Sequence, residues 1–306
     1  MRFFKLFALG IKNYWKGLKF LIDHKLYWYV IFPVLLFVGI FILGNYFAQM
    51  ELSISKDIQE NIREIKTIGG LIKKTLKIIF FDQLHFLFTK FTMYFVIMCL
   101  APVLAIVSEK MEEILTGNKY KWNLIQILKD IKRAFILNIR LILVEYLFIL
   151  AFLGIGALIG GNYHWYIAYV IPFLIGFYFY GFGYIDYILE RRRLNIRQSV
   201  HFVSKHKGLA FALGSVYASC FLGFDFMWRK FFTIPTDNNS IIFWGTILVL
   251  LFILAVSAPI LAIASATLSM HELIDLSTNE HAVKGEEQTS PQTNKKDVAS
   301  KDEASK

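Results

Sequence analysis

Charge is what this chain has least of. No Asp, Glu, Lys or Arg occurs in the 40 residues from Tyr146 to Ile185, in the 25 from Leu26 to Met50, or in the 31 from Ser240 to Met270. Charged residues make up 18% of the 306, where a soluble domain carries about a quarter. Each of those runs can cross a hydrocarbon core of about 30 Å as a helix. A soluble globular domain is thereby excluded.

Cysteine is almost absent too. Cys99 and Cys220 sit in apolar runs and read as small buried hydrophobes, not as a disulfide or a metal pair. Prolines are few enough to act as punctuation: Pro33 and Pro172 open apolar runs, and Pro259 divides the last one. Enzyme fingerprints are missing. Gly181-Phe182-Gly183 lacks the third glycine and the preceding strand of a dinucleotide site, and His201 and His206 are wrongly spaced for a helical metal pair. No enzyme, cofactor or metal is therefore expected. Nor is a nucleic-acid partner, because the net charge of +10 is not gathered on a separable soluble face.

What is present is apolar and aromatic, with 56% hydrophobic residues and 30 Phe. The fold class is all-α, a polytopic helical membrane protein. Membrane helices are predicted over 26–50, 78–107, 139–160, 163–187, 209–228 and 240–270. The first two are long spanning helices. The others form two hairpins, spanning or re-entrant, and the first turns at Gly160-Gly161-Asn162. Leu209 to Phe224 alone would be about 24 Å long, so it extends through Asp225 and Trp228 or it re-enters. Residues 51–77 read as a helical hairpin outside the bilayer, turning at Gly69-Gly70. Asp82, His85 and Lys90 either mark a pathway or lie in the headgroup zone, the charge-free part beginning only at Phe91; 118–138 is polar and basic, and 277–306 is a disordered tail.

Residues 1–24 predict an amphipathic helix lying in the membrane interface. Phe4, Phe7, Ile11, Trp15, Leu18 and Ile22 share one face, and Lys5, Lys12, Lys16 and Lys19 another. Lys and Arg collect on the cytoplasmic side of a bilayer. With both termini inside, 23 of the 33 fall on that side and 8 outside. Arg191-Arg192-Arg193 then marks a cytoplasmic helix end. Arg140 and Glu145 open the third run but stand five apart, so they do not face each other.

An octapeptide pattern occurs twice, Ala101 to Ser108 and Ala258 to Ser265, as A-P-x-L-A-I-x-S. Ala101/Ala105, Ala258/Ala262 and Gly156/Gly160 are small-residue faces that let helices approach closely, either for packing or around a shared site.

Three blocks in order resemble the CysZ sulfate-permease family, whose domain is shared with the etoposide-induced membrane proteins. They are Ala101-Pro102 with Glu109, Glu112 and Leu115-Thr116-Gly117; Tyr184-Ile185-Asp186-Tyr187 with the arginines after it; and Pro259 with Ala264, Ala266 and Thr267. The resemblance implies a membrane domain over 1–276 in a bacterial inner membrane, and a homo-oligomeric pore moving sulfate inward. Its implied partners are a sulfate-like anion, membrane lipid and further copies of the chain. Arg191 and Arg192 would attract the anion and Arg140 would hold it, with Glu109, Glu145 and Asp186 as counter-charges. The family's G-L-R-R ahead of the first membrane proline reads Lys25-Leu26-Tyr27-Trp28 here, leaving Lys25 as its one charge. The alternative is a non-transporting scaffold or envelope-organising protein that keeps the fold, and the loss of those arginines points that way.

Overall fold

The computed structural model describes residues 2–61, 92–119, 124–161, 166–231, 238–278 and 283–284. These are almost entirely helical: α1 (Arg2–Asp23), α2 (Ile31–Asn61), α3 (Thr92–Cys99), α4 (Ala101–Thr116), α5 (Leu124–Ile159), α6 (Ile171–Arg191), α7 (Ile196–Lys205), α8 (Lys207–Phe231) and α9 (Asn238–Ile274). The all-α polytopic expectation stands. Four segments are long and apolar enough to cross a membrane, Leu26–Tyr46, Ile131–Ile159, Lys207–Phe231 and Ser240–Ile274. A fifth is possible in length if α3 and α4 count together.

The helix at the centre is α6. Every residue from Phe179 to Glu190 is buried, and α8, α5, α9 and α4 surround it. The sequence groups 163–187 with the other membrane helices, yet this one is enclosed by them. Close approach makes the enclosure feasible: a Cβ on Gly181 would lie 1.7 Å from the Ala210 carbonyl oxygen, and one on Gly214 1.8 Å from that of Phe177. The α6 and α8 backbones are therefore nearly in contact.

The single helix predicted over 78–107 is broken instead. Helices α3 and α4 meet at Leu100 with a bend of 60°. Pro102 is the second residue of α4, where it has no N–H for the Met98 carbonyl and its ring crowds that position. Pro259, in the matching octapeptide, lies inside a continuous α9 and does not divide it. Helix α5 starts at Leu124 rather than at 139, because Ala134, Leu137, Asn138 and Leu141 keep a buried helical stripe through the polar stretch. Helix α8 runs on through Asp225 and Trp228 to 25 residues, about 37 Å, which removes the shortfall of the apolar run alone. Cys99 is exposed rather than buried, and neither cysteine is bonded. The tail is not structureless from its start, since Val283–Lys284 pairs antiparallel with Asn118–Lys119. The Gly69-Gly70 turn, Asp82, His85 and Lys90 lie outside the described residues.

Helix α1 has three faces where the sequence suggested two. The buried residues are Leu6, Gly10, Asn13, Gly17 and Leu21, a small-residue stripe distinct from both the aromatic and the lysine faces. That stripe packs on α8 and α9. Asn13 Nδ2 donates to Ser269 Oγ at 3.0 Å, Ser265 Oγ to the Gly10 carbonyl at 3.0 Å, and Tyr14 Oη to the Leu213 carbonyl at 2.6 Å. Lys16 pairs with Glu272 at 2.6 Å. The aromatic face stays bare, with Phe4 73% and Trp15 75% exposed, as a face meant for acyl chains would be.

Candidate functional site

Polar chemistry concentrates at the C-terminal end of α6. Successive residues on a helix point about 100° apart, so Glu190 and Arg191 cannot share a partner easily. Each crosses to a different helix, Glu190 to α5 and Arg191 to α4. Arg191 Nε meets Glu112 Oε2 of α4 at 3.1 Å, and its Nη2 donates to Ser108 Oγ at 2.7 Å. Ser108 in turn bonds Thr267 of α9 at 2.8 Å. The side chains of Arg191 and Glu112 are 7% and 1% exposed, so this ion pair is inside the protein.

The other face of α6 holds Arg133 of α5. Its Nη2 lies 2.9 Å from Asp186 Oδ1 and its Nε 3.4 Å from Asp186 Oδ2, a two-pronged contact. The same Nε is 3.3 Å from Glu190 Oε1, Nη2 also donates to Ser199 Oγ of α7 at 3.0 Å, and Nη1 donates to the Leu194 carbonyl. One guanidinium thus ties together α5, α6, the 194 loop and α7. Across both faces, two guanidiniums meet three carboxylates, Glu112, Asp186 and Glu190.

The sequence-predicted residues are spread over the bundle. Asp186 and Arg191 are in this cluster, on opposite faces and with different partners. Arg192 is half-buried beside it, Nη2 3.5 Å from the Asp275 carbonyl. The Asp275 carboxyl accepts from the hydroxyl and amide of Ser277, which hold it below the usual carboxylate range. Glu109 is half-buried on α4. Glu145 is elsewhere: it accepts from Tyr94 Oη and lines a cavity of about 490 Å³ with Met93, Tyr180 and, at its rim, Asp225 and Arg229. Twelve residues of helix, about 18 Å, separate it from Arg133. Arg140 lies between those two along α5, exposed, with no ion pair among the described residues.

Lys25 is exposed and has φ +58°. It stands where the resembling family has the glycine of G-L-R-R. A left-handed turn into Leu26–Val30 explains a glycine there, since other residues pay about 1 kcal/mol or more for that conformation. Lys25→Gly is expected to raise stability by up to about 1 kcal/mol, read as a higher melting temperature in detergent. A drop would mean that the lysine side chain itself holds the turn.

Sequence reading missed Arg133, Glu112 and Glu190. Arg133 lies in the polar, basic stretch 118–138, although the apolar period through Ile131, Ala134 and Leu137 already runs past it. Glu112 stands in the same block as Glu109, three residues on, and nothing in the spacing marks it as the one that meets Arg191.

An enclosed helix carrying buried ion pairs, inside a bundle of membrane-length apolar helices, defines a polytopic helical membrane protein with an internal charged site. Residues 13–264 match the family described as Sulfate transporter CysZ/Etoposide-induced protein 2.4, and the chain belongs to it. No curated protein matches the chain.

Proposed function

We propose that this protein is a membrane permease that moves a small oxyanion, sulfate by family membership, into the cytoplasm. We place it in a bacterial inner membrane, as a homo-oligomer with both termini inside. The observation that supports transport most is the contrast at the end of α6. The Arg191 side chain is 7% exposed and paired with Glu112, while Arg192, one residue on, reaches the Asp275 carbonyl in an exposed contact. An arriving anion would meet the Arg192 guanidinium at this exposed contact rather than at the Arg191–Glu112 pair inside the protein. Arg140, exposed along α5, is the candidate for a bidentate contact further along, and Lys25 a weaker one. Glu109, Glu145 and Asp186 supply counter-charge within the bundle, Asp186 through Arg133.

A second reading, a scaffold or envelope-organising protein, is favoured by a specific observation. The buried cluster holds more carboxylates than guanidiniums, and Tyr27 and Trp28 stand where the family has arginines. Radiolabelled sulfate uptake into liposomes containing the purified protein separates the two. Arg140→Gln and Arg192→Gln are each expected to lower uptake by roughly 10- to 150-fold, the loss of one charge-assisted contact, while Arg193→Gln does little. Equal tolerance of all three would remove these arginines from the mechanism. A folded wild type without uptake supports the scaffold. Orientation is read with a cysteine at 192 in a background lacking Cys99 and Cys220, which an impermeant thiol reagent should reach only from inside.

A further inference from the structure

Lys129, Lys132, Arg133 and Ile136 stand at i, i+3, i+4 and i+7 along α5, which puts them on one face. They line an open groove of about 630 Å³ whose other wall is the start of α7, Asn195, Ile196 and Arg197. Lys129, Lys132 and Arg197 are exposed, and none has a hydrogen bond or ion pair among the described residues. Arg133 forms the back of the groove with Asp186 and Glu190 behind it. Four cations against two carboxylates leave the groove positive. The first turn of α7 adds to this, because its helix dipole presents the positive end here, with Asn195 as the cap.

The position of the groove selects the ligand. It opens at the end of the α5 span, which begins at Ile131. Beside the cations, Leu128, Phe135 and Leu143 are 66%, 52% and 58% exposed, an apolar strip continuing down the span. Converging cations at a membrane edge, next to bare apolar helix, suit a molecule with a phosphate at one end and acyl chains at the other. A free oxyanion would gain nothing from the strip. We infer that the groove between α5 and α7 binds the headgroup phosphate of an anionic phospholipid. The inference does not depend on sulfate being cargo.

Native mass spectrometry of the full-length protein tests this, after exchange into detergent containing equal amounts of phosphatidylglycerol and phosphatidylcholine. Wild type is expected to retain phosphatidylglycerol preferentially. Each lost cation should weaken retention about fivefold, and Lys129→Gln/Lys132→Gln/Arg197→Gln together roughly 100-fold. Arg197→Gln alone, with its fivefold loss, guards against misfolding of the triple variant, as does an unchanged elution volume. Equal retention of the two lipids by wild type overturns the inference, and so does full retention by a folded triple variant. A third arm adds sulfate or glycerol phosphate to lipid-free protein. Binding there that the triple variant loses, without any lipid preference, would assign the groove to a soluble anion and also overturn the inference.

Discussion

Arg133→Gln is expected to destabilise the protein by about 3 kcal/mol. The substitution leaves Asp186 and Glu190, at 4% and 8% side-chain exposure, facing each other without their cation. Breaking a buried ion pair from one side typically costs about 3–5 kcal/mol, because the remaining charge is stranded. The lower end applies because Arg133 keeps 18% of its own side chain exposed, so water reaches part of the site. Arg133→Lys should recover only part of the loss, since an ammonium cannot reproduce the fork that spans Asp186, Ser199 and Leu194. Adding Asp186→Asn to Arg133→Gln should cost less than the sum of the two single changes, with a coupling of about 1.5 kcal/mol or more. Melting in detergent reads the energies. Hydrogen exchange reads the location, which should be residues 194–205, the segment that Arg133 ties to α5 through Leu194 and Ser199. Strict additivity of the pair would show that the contact contributes nothing specific.

Gly181→Ala and Gly214→Ala should each lose more than 3 kcal/mol, beyond the roughly 1–3 kcal/mol of ordinary overpacking. Ordinary overpacking is relieved by a side chain changing rotamer. Here the obstacle is main chain: Ala210 oxygen at 1.7 Å from one added Cβ and Phe177 oxygen at 1.8 Å from the other. The two contacts are reciprocal, α6 on α8 and α8 on α6, so neither helix can yield without moving the other. The expected result is loss of a monodisperse peak in size-exclusion chromatography. Gly44→Ala and Gly154→Ala are the controls. Nothing lies within 4 Å of an added Cβ at either, and both are in helices, so they should be neutral or stabilising by up to about 1 kcal/mol. A stable, monodisperse Gly181→Ala would mean that α6 and α8 are not in backbone contact.

Gly156 and Gly160 illustrate how a motif divides once it is placed. Gly156 is buried within α5, while Gly160 follows the helix end with φ +64°. The second glycine is required by its turn whether or not another helix packs there. Gly156, buried within the one chain, likewise reports on packing inside it rather than on the proposed homo-oligomer. The repeated octapeptides divide in a similar way. Ala101, Ala258 and Ala262 are all buried inside the one chain, and Ser108 and Ser265 take different partners, Arg191 and the Gly10 carbonyl.

The sequence by itself determined that the chain is an all-α polytopic membrane protein, that α1 is amphipathic, and which family the chain resembles. These properties are local: a run without charge, a stripe repeating every three to four residues, a short block of fixed spacing. It did not determine that α6 is enclosed while α5 is bare along one face, although both are apolar all along. It did not determine that Asp186 finds Arg133, 53 residues away, or that Arg191 reaches Glu112 of another helix. Nor did it distinguish Pro102, at a 60° break, from Pro259 inside a continuous helix, since the two sit in the same pattern. Each of these depends on how far a helix is rotated about its own axis and how closely its neighbour approaches. Those two quantities are set by contacts between distant segments, such as the glycines of α6 and α8 meeting each other's carbonyls, and only the assembled bundle fixes them.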